Sequence, residues 1–199
     1  MGASKRIAEL LVQDAARRSD RNFVAVRFGN LLGSAGSVVP LFKQQIAAGG
    51  PLTVTHPDVE RYFITTPRAV QLVIQAADLR QGGDIFVLDV GEPVKIVDLA
   101  RDMIAHSEES PRQDIDIIFT GLRPGEKLKD ANFNTFETCS ATPRENILVA
   151  QETLSIESPV LKRGAEKLVR LAQDGEVEQL WDALQALAPE CQRFVLEQP

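Results

Sequence analysis

Cysteine is scarce in this 199-residue sequence, and long apolar runs are absent from it. The two cysteines, Cys139 and Cys191, lie far apart and belong to no CxxC or Cys–His motif, so we predict neither a disulfide framework nor a metal site. A reducing cytoplasm is therefore the expected location. No stretch approaches the roughly 18 consecutive apolar residues of a membrane helix. The first residues are amphipathic and do not resemble a signal peptide, so we expect no membrane segment in this chain.

An excess of basic charge is also missing. The sequence has 22 Lys and Arg against 28 Asp and Glu, which gives a net charge of −6. Affinity for a nucleic-acid backbone comes mainly from clustered Lys and Arg, so nucleic acid is not an expected partner. An apolar content of 44% and a charged content of 25% are close to globular averages and predict a soluble folded protein.

Helical and strand patterns alternate along the chain. Apolar residues recur at helical spacing from residue 3 to about residue 18, with Ile7, Leu10, Leu11 and Ala15 on one face. In the helix predicted over 68–79, Thr66 is the expected N-cap and Pro67 the first helical residue. Further helices are predicted at 39–48, 97–106 (with Leu99, Met103 and Ile104 inward), 160–172 and 175–188, and strands at 23–28, 52–55, 84–89 and 116–119.

Alternating strands and helices of this kind predict an α/β fold with a partly parallel sheet and a smaller α/β lobe. The pattern weakens between residues 129 and 142. We predict a division into residues 1–157, a partial Rossmann and sugar-nucleotide region, and a helical tail at 158–199.

One more absence concerns dinucleotide binding. A Rossmann domain normally begins with a strand, a G-x-G-x-x-G turn and a helix, and the sequence contains no such turn. The run from Gly33 to Gly36 has the wrong spacing. The chain therefore contains no recognisable fingerprint for the cofactor.

Four segments nevertheless resemble one family when they are taken together. The segments are 1–9 (MGASKRIAE), 26–30 (VRFGN), 33–40 (GSAGSVVP) and 121–128 (GLRPGEKL). They resemble the UDP-N-acetylglucosamine 4,6-dehydratases, the polysaccharide-biosynthesis (CapD-like) branch of the extended short-chain dehydrogenases. The resemblance extends over residues 1–128. It implies the carboxyl-terminal half of such an enzyme, an incomplete Rossmann sheet with a substrate lobe, without the cofactor-binding half.

The resemblance also implies roles at the start of the chain. Short-chain dehydrogenases carry Tyr-x-x-x-Lys where this sequence has Met1 and Lys5. By resemblance, Lys5 binds the nicotinamide ribose and acts in catalysis, and Phe28 and Asn30 contribute to an NAD(P) site. A thioether has no titratable proton, so Met1 cannot replace the Tyr hydroxyl as a general base. From the helix pattern alone, Lys5 would be an ordinary solvated side chain.

The substrate residues implied by the resemblance lie further along the chain. Asn30 suits a sugar or diphosphate oxygen, and Ser37 and Val38 open a helix whose N–H groups suit a diphosphate. Thr53 and Thr55 resemble the strand whose backbone edge meets uracil. Arg61 and Arg123 resemble the two guanidiniums that hold diphosphate and ribose, and Glu126 follows in a tight Arg-Pro-Gly-Glu turn as an acceptor for ribose hydroxyls.

These observations leave three functions open. The first is 4,6-dehydration of a UDP-N-acetylhexosamine in surface-polysaccharide biosynthesis, with NAD(P) as the cofactor. The second is a UDP-sugar-binding module without turnover, and the third is a scaffold domain that packs against a partner. The expected partners are a UDP-sugar and either a second copy of the chain or a missing amino-terminal half. Long members of the family are expected to be anchored at the inner membrane by a region absent from this sequence.

Overall fold

The computed structural model describes residues 2–19, 21–79, 82–107, 115–130, 137–152 and 156–189. The chain divides into two compact units that interleave along the sequence. Unit 1 comprises Met1–Arg27, Gln75–Val87 and Asn134–Pro199, and unit 2 comprises Phe28–Ile74 and Leu88–Phe133.

Every predicted helix is present, with ends shifted by one or two residues. The helices are α1 (Gly2–Arg17), α2 (Val38–Ala47), α3 (Thr66–Asp78), α4 (Ile96–Ala105), α5 (Ser158–Asp174) and α6 (Val177–Leu187). The prediction of Thr66 as the N-cap of α3 is wrong by one residue. The Thr65 carbonyl accepts the Ala69 N–H at 2.9 Å, and the Thr65 hydroxyl lies 3.4 Å from the Arg68 nitrogen. Thr65 therefore caps the helix, and Pro67 is its second residue.

The strands are short, and most of them belong to two-stranded ladders. They are β1 (Ala25–Arg27), β2 (Asn30–Leu31), β3 (Leu52–Val54), β4 (Glu60–Arg61), β5 (Phe63–Ile64), β6 (Ile85–Leu88), β7 (Val94–Lys95), β8 (Ile117–Phe119), β9 (Glu137–Ala141) and β10 (Ile147–Glu152). The four predicted strands correspond to β1, β3, β6 and β8. The other strands were not predicted.

Unit 1 contains a four-stranded sheet in the order β1-β6-β10-β9. β1 and β6 are parallel, as expected, and Val26 is paired with Phe86. β1 is shorter than the predicted strand, and Phe23 and Phe28, which the prediction placed in it, lie outside it and are 43% and 41% exposed. β9 and β10 form an antiparallel hairpin in which Val149 faces Ser140. β9 lies within the stretch where the sequence pattern was weakest, residues 129–142, and β10 follows it.

The helices of unit 1 share one apolar core. Ile7 and Leu10 of α1 pack with side chains of α5 and α6, and the members are Ile7, Leu10, Leu161, Leu168, Leu171, Ala183 and Leu187. Gly164 of α5 lies against Leu187 of α6. A Cβ atom at Gly164 would be 2.8 Å from the Leu187 side chain, so the absence of a side chain at this position lets the two helices approach closely. Leu11, predicted to face inward, is 36% exposed. The division at residue 157 stays a prediction.

A polar contact also ties α1 to α5. The Asp14 side chain is 2% exposed, accepts from Arg18 Nε at 2.8 Å and accepts from the Ser158 hydroxyl at 3.1 Å. Burial alone would raise the pKa of Asp14, but the bonds from Arg18 and Ser158 outweigh it and lower that pKa. Asp84, which precedes β6, has its pKa raised by burial.

In the described part of unit 2, three small ladders and the helices α2 and α4 are built around a second core, and the first part of α3 also belongs to this unit. β2 pairs with β5 in parallel, β3 with β8 in parallel, and β4 with β7 in antiparallel fashion. The core members are Phe42, Ile46, Leu52, Val54, Val59, Ile96 and Ala100. The buried face of α4 therefore centres on Ile96, Val97 and Ala100, and not on Leu99 as predicted. Met103 and Ile104 pack partly buried against the same core.

Candidate functional site

A cavity of about 350 Å³ lies within unit 2. This volume falls in the range of roughly 300–1,000 Å³ typical of small-molecule sites. The lining residues are Asn30, Gly36, Ser37, Val38, Leu41, Thr53, Val54, Thr55, Val59, Arg61, Phe63, Ile96, Arg123 and Glu126. Every residue that the sequence predicted for the sugar nucleotide is among them. The folding of unit 2 thus brings together residues that are almost 100 positions apart in the chain.

One wall of the cavity is the amino-terminal end of α2. Ser37 is the N-cap residue of this helix, with extended backbone and no side-chain capping bond. Its hydroxyl oxygen is buried and has no hydrogen-bond partner among the described residues. The first N–H groups of a helix have no partner within the helix and carry partial positive charge. This wall therefore offers donors suited to an anion.

A second wall is one edge of β3. Leu52 and Val54 bond to the β8 side, since Leu52 N–H donates to Asp116 O at 2.8 Å and Val54 O accepts from Thr120 N–H at 3.0 Å. Successive residues of a strand direct their backbone groups to opposite edges. Thr53 and Thr55 therefore present their backbone groups at the other edge.

The side chain of Gln45 occupies part of that edge. Its Oε1 accepts the Thr53 N–H at 3.1 Å, and its Nε2 donates to the Thr53 hydroxyl at 2.7 Å. Sequence reasoning missed Gln45. It lies one helical turn after the cavity-lining Leu41, a relation that only the structure shows.

Glu126 joins several parts of the site. The Arg123 carbonyl accepts the Glu126 N–H at 2.9 Å, so residues 123–126 form a tight turn, with Gly125 at a φ of +76°. The Glu126 carboxylate accepts the Thr55 hydroxyl at 2.8 Å and the Arg123 N–H at 3.1 Å. This carboxylate is thus already engaged by protein donors.

The two arginines of the cavity differ in their surroundings. Arg61 donates to the carbonyls of Glu60 and Leu128 at 2.8 and 3.2 Å. Its guanidinium also lies 3.6 Å from Glu126 and 3.5 Å from Asp130. The Arg123 side chain is exposed, and within the described part of the chain its guanidinium has no ion-pair partner. Arg123 is therefore the guanidinium available to a ligand.

Asn30 is held against the Tyr62 backbone. Its N–H donates to Tyr62 O at 2.7 Å, and its Nδ2 donates to the same oxygen at 3.2 Å and to Asp130 at 3.4 Å. A Cβ atom at Gly29 would lie 2.5 Å from Tyr62 O, so only glycine permits this close approach. The amide protons of Asn30 thus face protein acceptors, which leaves Oδ1 as its acceptor toward the cavity.

Of the described residues predicted for catalysis and cofactor binding, only Asn30 lines this cavity. Met1 is outside the described residues. Lys5 is an exposed residue of α1 in unit 1, and no described carboxylate forms an ion pair with it. Phe28 lines a separate apolar cavity of about 200 Å³, with Leu31, Thr66, Ala69, Val70, Val73 and Ile74.

No group of three or more His, Cys, Asp or Glu side chains in the described ranges could hold a metal ion. No helix within them is long and apolar enough to cross a membrane.

Comparison with known proteins identifies the family of this chain. A family model described as "Polysaccharide biosynthesis protein" matches residues 1–152. The chain belongs to this family. The resemblance inferred from the four sequence segments is thereby confirmed at the level of the family.

Individual relatives agree with this assignment. Capsular polysaccharide biosynthesis protein CapD of Staphylococcus aureus is 49% identical over 181 residues, which are 86% of this chain and 30% of CapD. A UDP-glucose 4-epimerase of Rickettsia bellii (strain OSU 85-389) is 33% identical over 145 residues, 71% of this chain and 41% of the epimerase. The chain thus spans less than half the length of these two relatives.

A solved structure supports the fold. Pen from Bacillus thuringiensis superposes with a TM-score of 0.69 at 33% identity, over 77% of this chain and 48% of Pen. The predicted fold class, part of an extended short-chain dehydrogenase with a mixed α/β architecture, is confirmed.

Proposed function

We propose that the unit 2 cavity binds a UDP-sugar, and that the reaction served is 4,6-dehydration of a UDP-N-acetylhexosamine for surface-polysaccharide synthesis. The observation that carries the proposal is the convergence of two anion-directed features on one cavity. These features are the amino-terminal end of α2 with the buried Ser37 hydroxyl, which has no partner among the described residues, and the Arg123 guanidinium, with which no described carboxylate forms an ion pair. A diphosphate is the ligand group whose charge and oxygens suit both.

The diphosphate would lie between these two features. Backbone N–H groups at a helix start, together with the helix dipole, favour a phosphate. An arginine presents paired donors in a fixed fork, which matches two phosphate oxygens. Arg61 is already bonded to carbonyls and flanked by Glu126 and Asp130, so its main contribution would be to hold the 126–130 segment in place.

The base would lie along the open edge of β3. Thr53 presents a carbonyl acceptor there, and Thr55 presents an N–H donor two residues later. Uracil carries a donor at N3 next to an acceptor at O4, which is the complementary order. The name of the Rickettsia relative, UDP-glucose 4-epimerase, supports the same class of ligand.

The cofactor proposal rests on fewer residues. NAD(P), when bound, would accept a hydride from C4 of the sugar and later return it. The exposed Lys5 ammonium could donate hydrogen bonds to the nicotinamide ribose hydroxyls. Its positive charge would also favour the anionic form of acidic groups close to it. The Oδ1 atom of Asn30, a residue of unit 2, would accept a hydroxyl of the sugar.

A second function, binding without turnover, has its own support. Met1 occupies the position of the family's catalytic Tyr, and its thioether has no proton to transfer. In this alternative the chain binds the UDP moiety and catalyses nothing alone.

Two measurements on the purified chain test these proposals. Calorimetric titration with UDP-N-acetylglucosamine should give saturable binding, with competition by UDP and none by N-acetylglucosamine. Absence of saturable binding at millimolar ligand would reject the UDP-sugar site. Incubation with the same sugar nucleotide and NAD(P) then separates the two functions, because a 4-keto product supports the dehydratase and its absence supports the binding module.

A further inference from the structure

Gln45 makes a two-point contact with Thr53 at the open edge of β3. Both polar atoms of its amide are used, since Oε1 accepts the Thr53 N–H at 3.1 Å and Nε2 donates to the Thr53 hydroxyl at 2.7 Å. Gln45 is half-buried on α2, beside the cavity wall that contains Leu41. This contact fixes the edge from the side of the helix.

The contact determines which groups of the edge remain for a ligand. The N–H and the hydroxyl of Thr53 are bonded to Gln45, and the Thr55 hydroxyl donates to Glu126 at 2.8 Å. The backbone groups left at this edge are the carbonyl of Thr53 and the N–H of Thr55. Read along the strand, the edge presents an acceptor followed by a donor.

This order discriminates between the two common pyrimidines. Uracil presents N3–H and O4, a donor and an acceptor, and pairs with the edge. Cytosine presents N3 as an acceptor and N4 as a donor, so both of its groups would meet a group of the same kind. If the Thr53 N–H were free, it would present a donor followed by the Thr53 carbonyl as an acceptor. Cytosine could then pair with these two groups, through N3 as its acceptor and N4 as its donor.

We propose that Gln45 is a specificity-determining residue that masks the Thr53 N–H and so restricts the edge to uracil. The proposal rests on the UDP-sugar function proposed above and deepens it. Gln45 acts through Thr53 and does not itself contact the substrate, so it is a positioning residue.

The test compares UDP and CDP affinities of the full chain by calorimetry. We expect the wild-type chain to prefer UDP by about 10- to 100-fold, the discrimination typical of a site that pairs two base groups. Gln45→Met keeps the side-chain length but removes both bonds. It should narrow the preference to about threefold or less, with tighter CDP binding, because an unmasked donor then serves cytosine.

Gln44→Met is the matched control, because Gln44 is the exposed neighbour on the same helix and should keep the wild-type preference. Gln45→Glu is the conservative variant. Its carboxylate can accept both the N–H and the hydroxyl proton of Thr53, so the preference should persist while affinity for both nucleotides falls through charge repulsion. This variant also decides the matter if Gln45→Met does not fold.

The outcomes separate this proposal from the one it rests on. A wild-type chain that binds neither nucleotide overturns the UDP-sugar function and this proposal with it. A chain that binds UDP and CDP equally overturns the role of Gln45 alone. An unchanged preference in Gln45→Met, or a lost preference in Gln45→Glu, does the same.

Discussion

The two units place polar side chains in contrasting environments. In unit 1 the apolar faces of α1, α5 and α6 close over one another, and Asp14 is buried with its partners Arg18 and Ser158 supplied. In unit 2 one cavity is lined by the Ser37 hydroxyl and the exposed Arg123 guanidinium; among the described residues the first has no hydrogen-bond partner and the second no ion-pair partner. A buried hydroxyl without a partner costs free energy, and a ligand that bonds to Ser37 would remove that cost. From this contrast we propose that unit 1 contributes mainly stability and unit 2 mainly binding.

The largest expected effect is on the core of unit 1. Leu161 is fully buried, so Leu161→Ala should lower the free energy of unfolding by about 2–5 kcal/mol through lost burial and a residual cavity. Denaturant unfolding measures this. Val169→Ala on the same helix is the control, since Val169 is 59% exposed and the change should cost less than about 0.5 kcal/mol. Equal costs for the two variants would refute the packing described for α5.

Removal of the unpaired guanidinium should have the next largest effect, on binding alone. Arg123→Ala should weaken UDP affinity about 10- to 100-fold, because charge-assisted bonds to phosphate are typically worth about 1.5–3 kcal/mol. The unfolding midpoint should not change, since Arg123 has no ion pair to lose among the described residues. Arg101→Ala is the control, because Arg101 pairs with Asp98 on the surface of α4. Unchanged affinity in Arg123→Ala would remove this residue from the site.

The buried carboxylate of unit 1 should make stability depend on pH. The folded pKa of Asp14 is lowered from an ordinary value of 3.8, so its contribution is present above that value and is lost as the pH falls through the folded pKa. Asp14→Asn should cost about 1–2 kcal/mol at neutral pH and flatten the loss of stability below about pH 4. Asp78→Asn, at an exposed pair with Arg144, is the control and should change neither. An equally steep acid limb in Asp14→Asn would contradict the assignment.

The smallest expected effect concerns Asn30. Asn30→Ala should weaken binding of UDP-N-acetylglucosamine about three- to tenfold through loss of one neutral hydrogen bond. If its Oδ1 accepts a sugar hydroxyl, affinity for UDP itself should stay the same. A matching loss for UDP would instead assign Asn30 to the diphosphate.

The sequence predicted the helices well because their apolar spacing and their turn residues agree. It missed the β9–β10 hairpin, although Ile147 to Ala150 form an apolar run that suits a strand. Five consecutive residues of β9, from Glu137 to Ala141, include only two apolar side chains, so the partner strand carries little pattern of its own. The pairing of β9 with β10 therefore depends on contacts in the folded chain and not on a local sequence pattern.

The candidate site was anticipated in its residues and not in its bonding. Motif resemblance identified residues that the structure brings together in one cavity. It treated two of them, Arg61 and Arg123, as equivalent. Their difference arises from the carbonyl of Leu128 and the carboxylate of Asp130, which approach Arg61 only in the folded chain. The role of Gln45 was likewise invisible, because a glutamine on an amphipathic helix gives no sequence signal of the strand edge it contacts.

The most direct test of the account is an amide NMR titration of the isotope-labelled chain with UDP-N-acetylglucosamine. We predict saturable shifts concentrated at the amino-terminal end of α2, at Thr53–Thr55 and at the 123–126 turn, with the amides of α5 and α6 unchanged. Arg123→Ala should reduce these shifts at equal ligand concentration, whereas Arg101→Ala should not. Saturable shifts confined to unit 1, or no shifts at millimolar ligand, would contradict the claim that the unit 2 cavity is the UDP-sugar site.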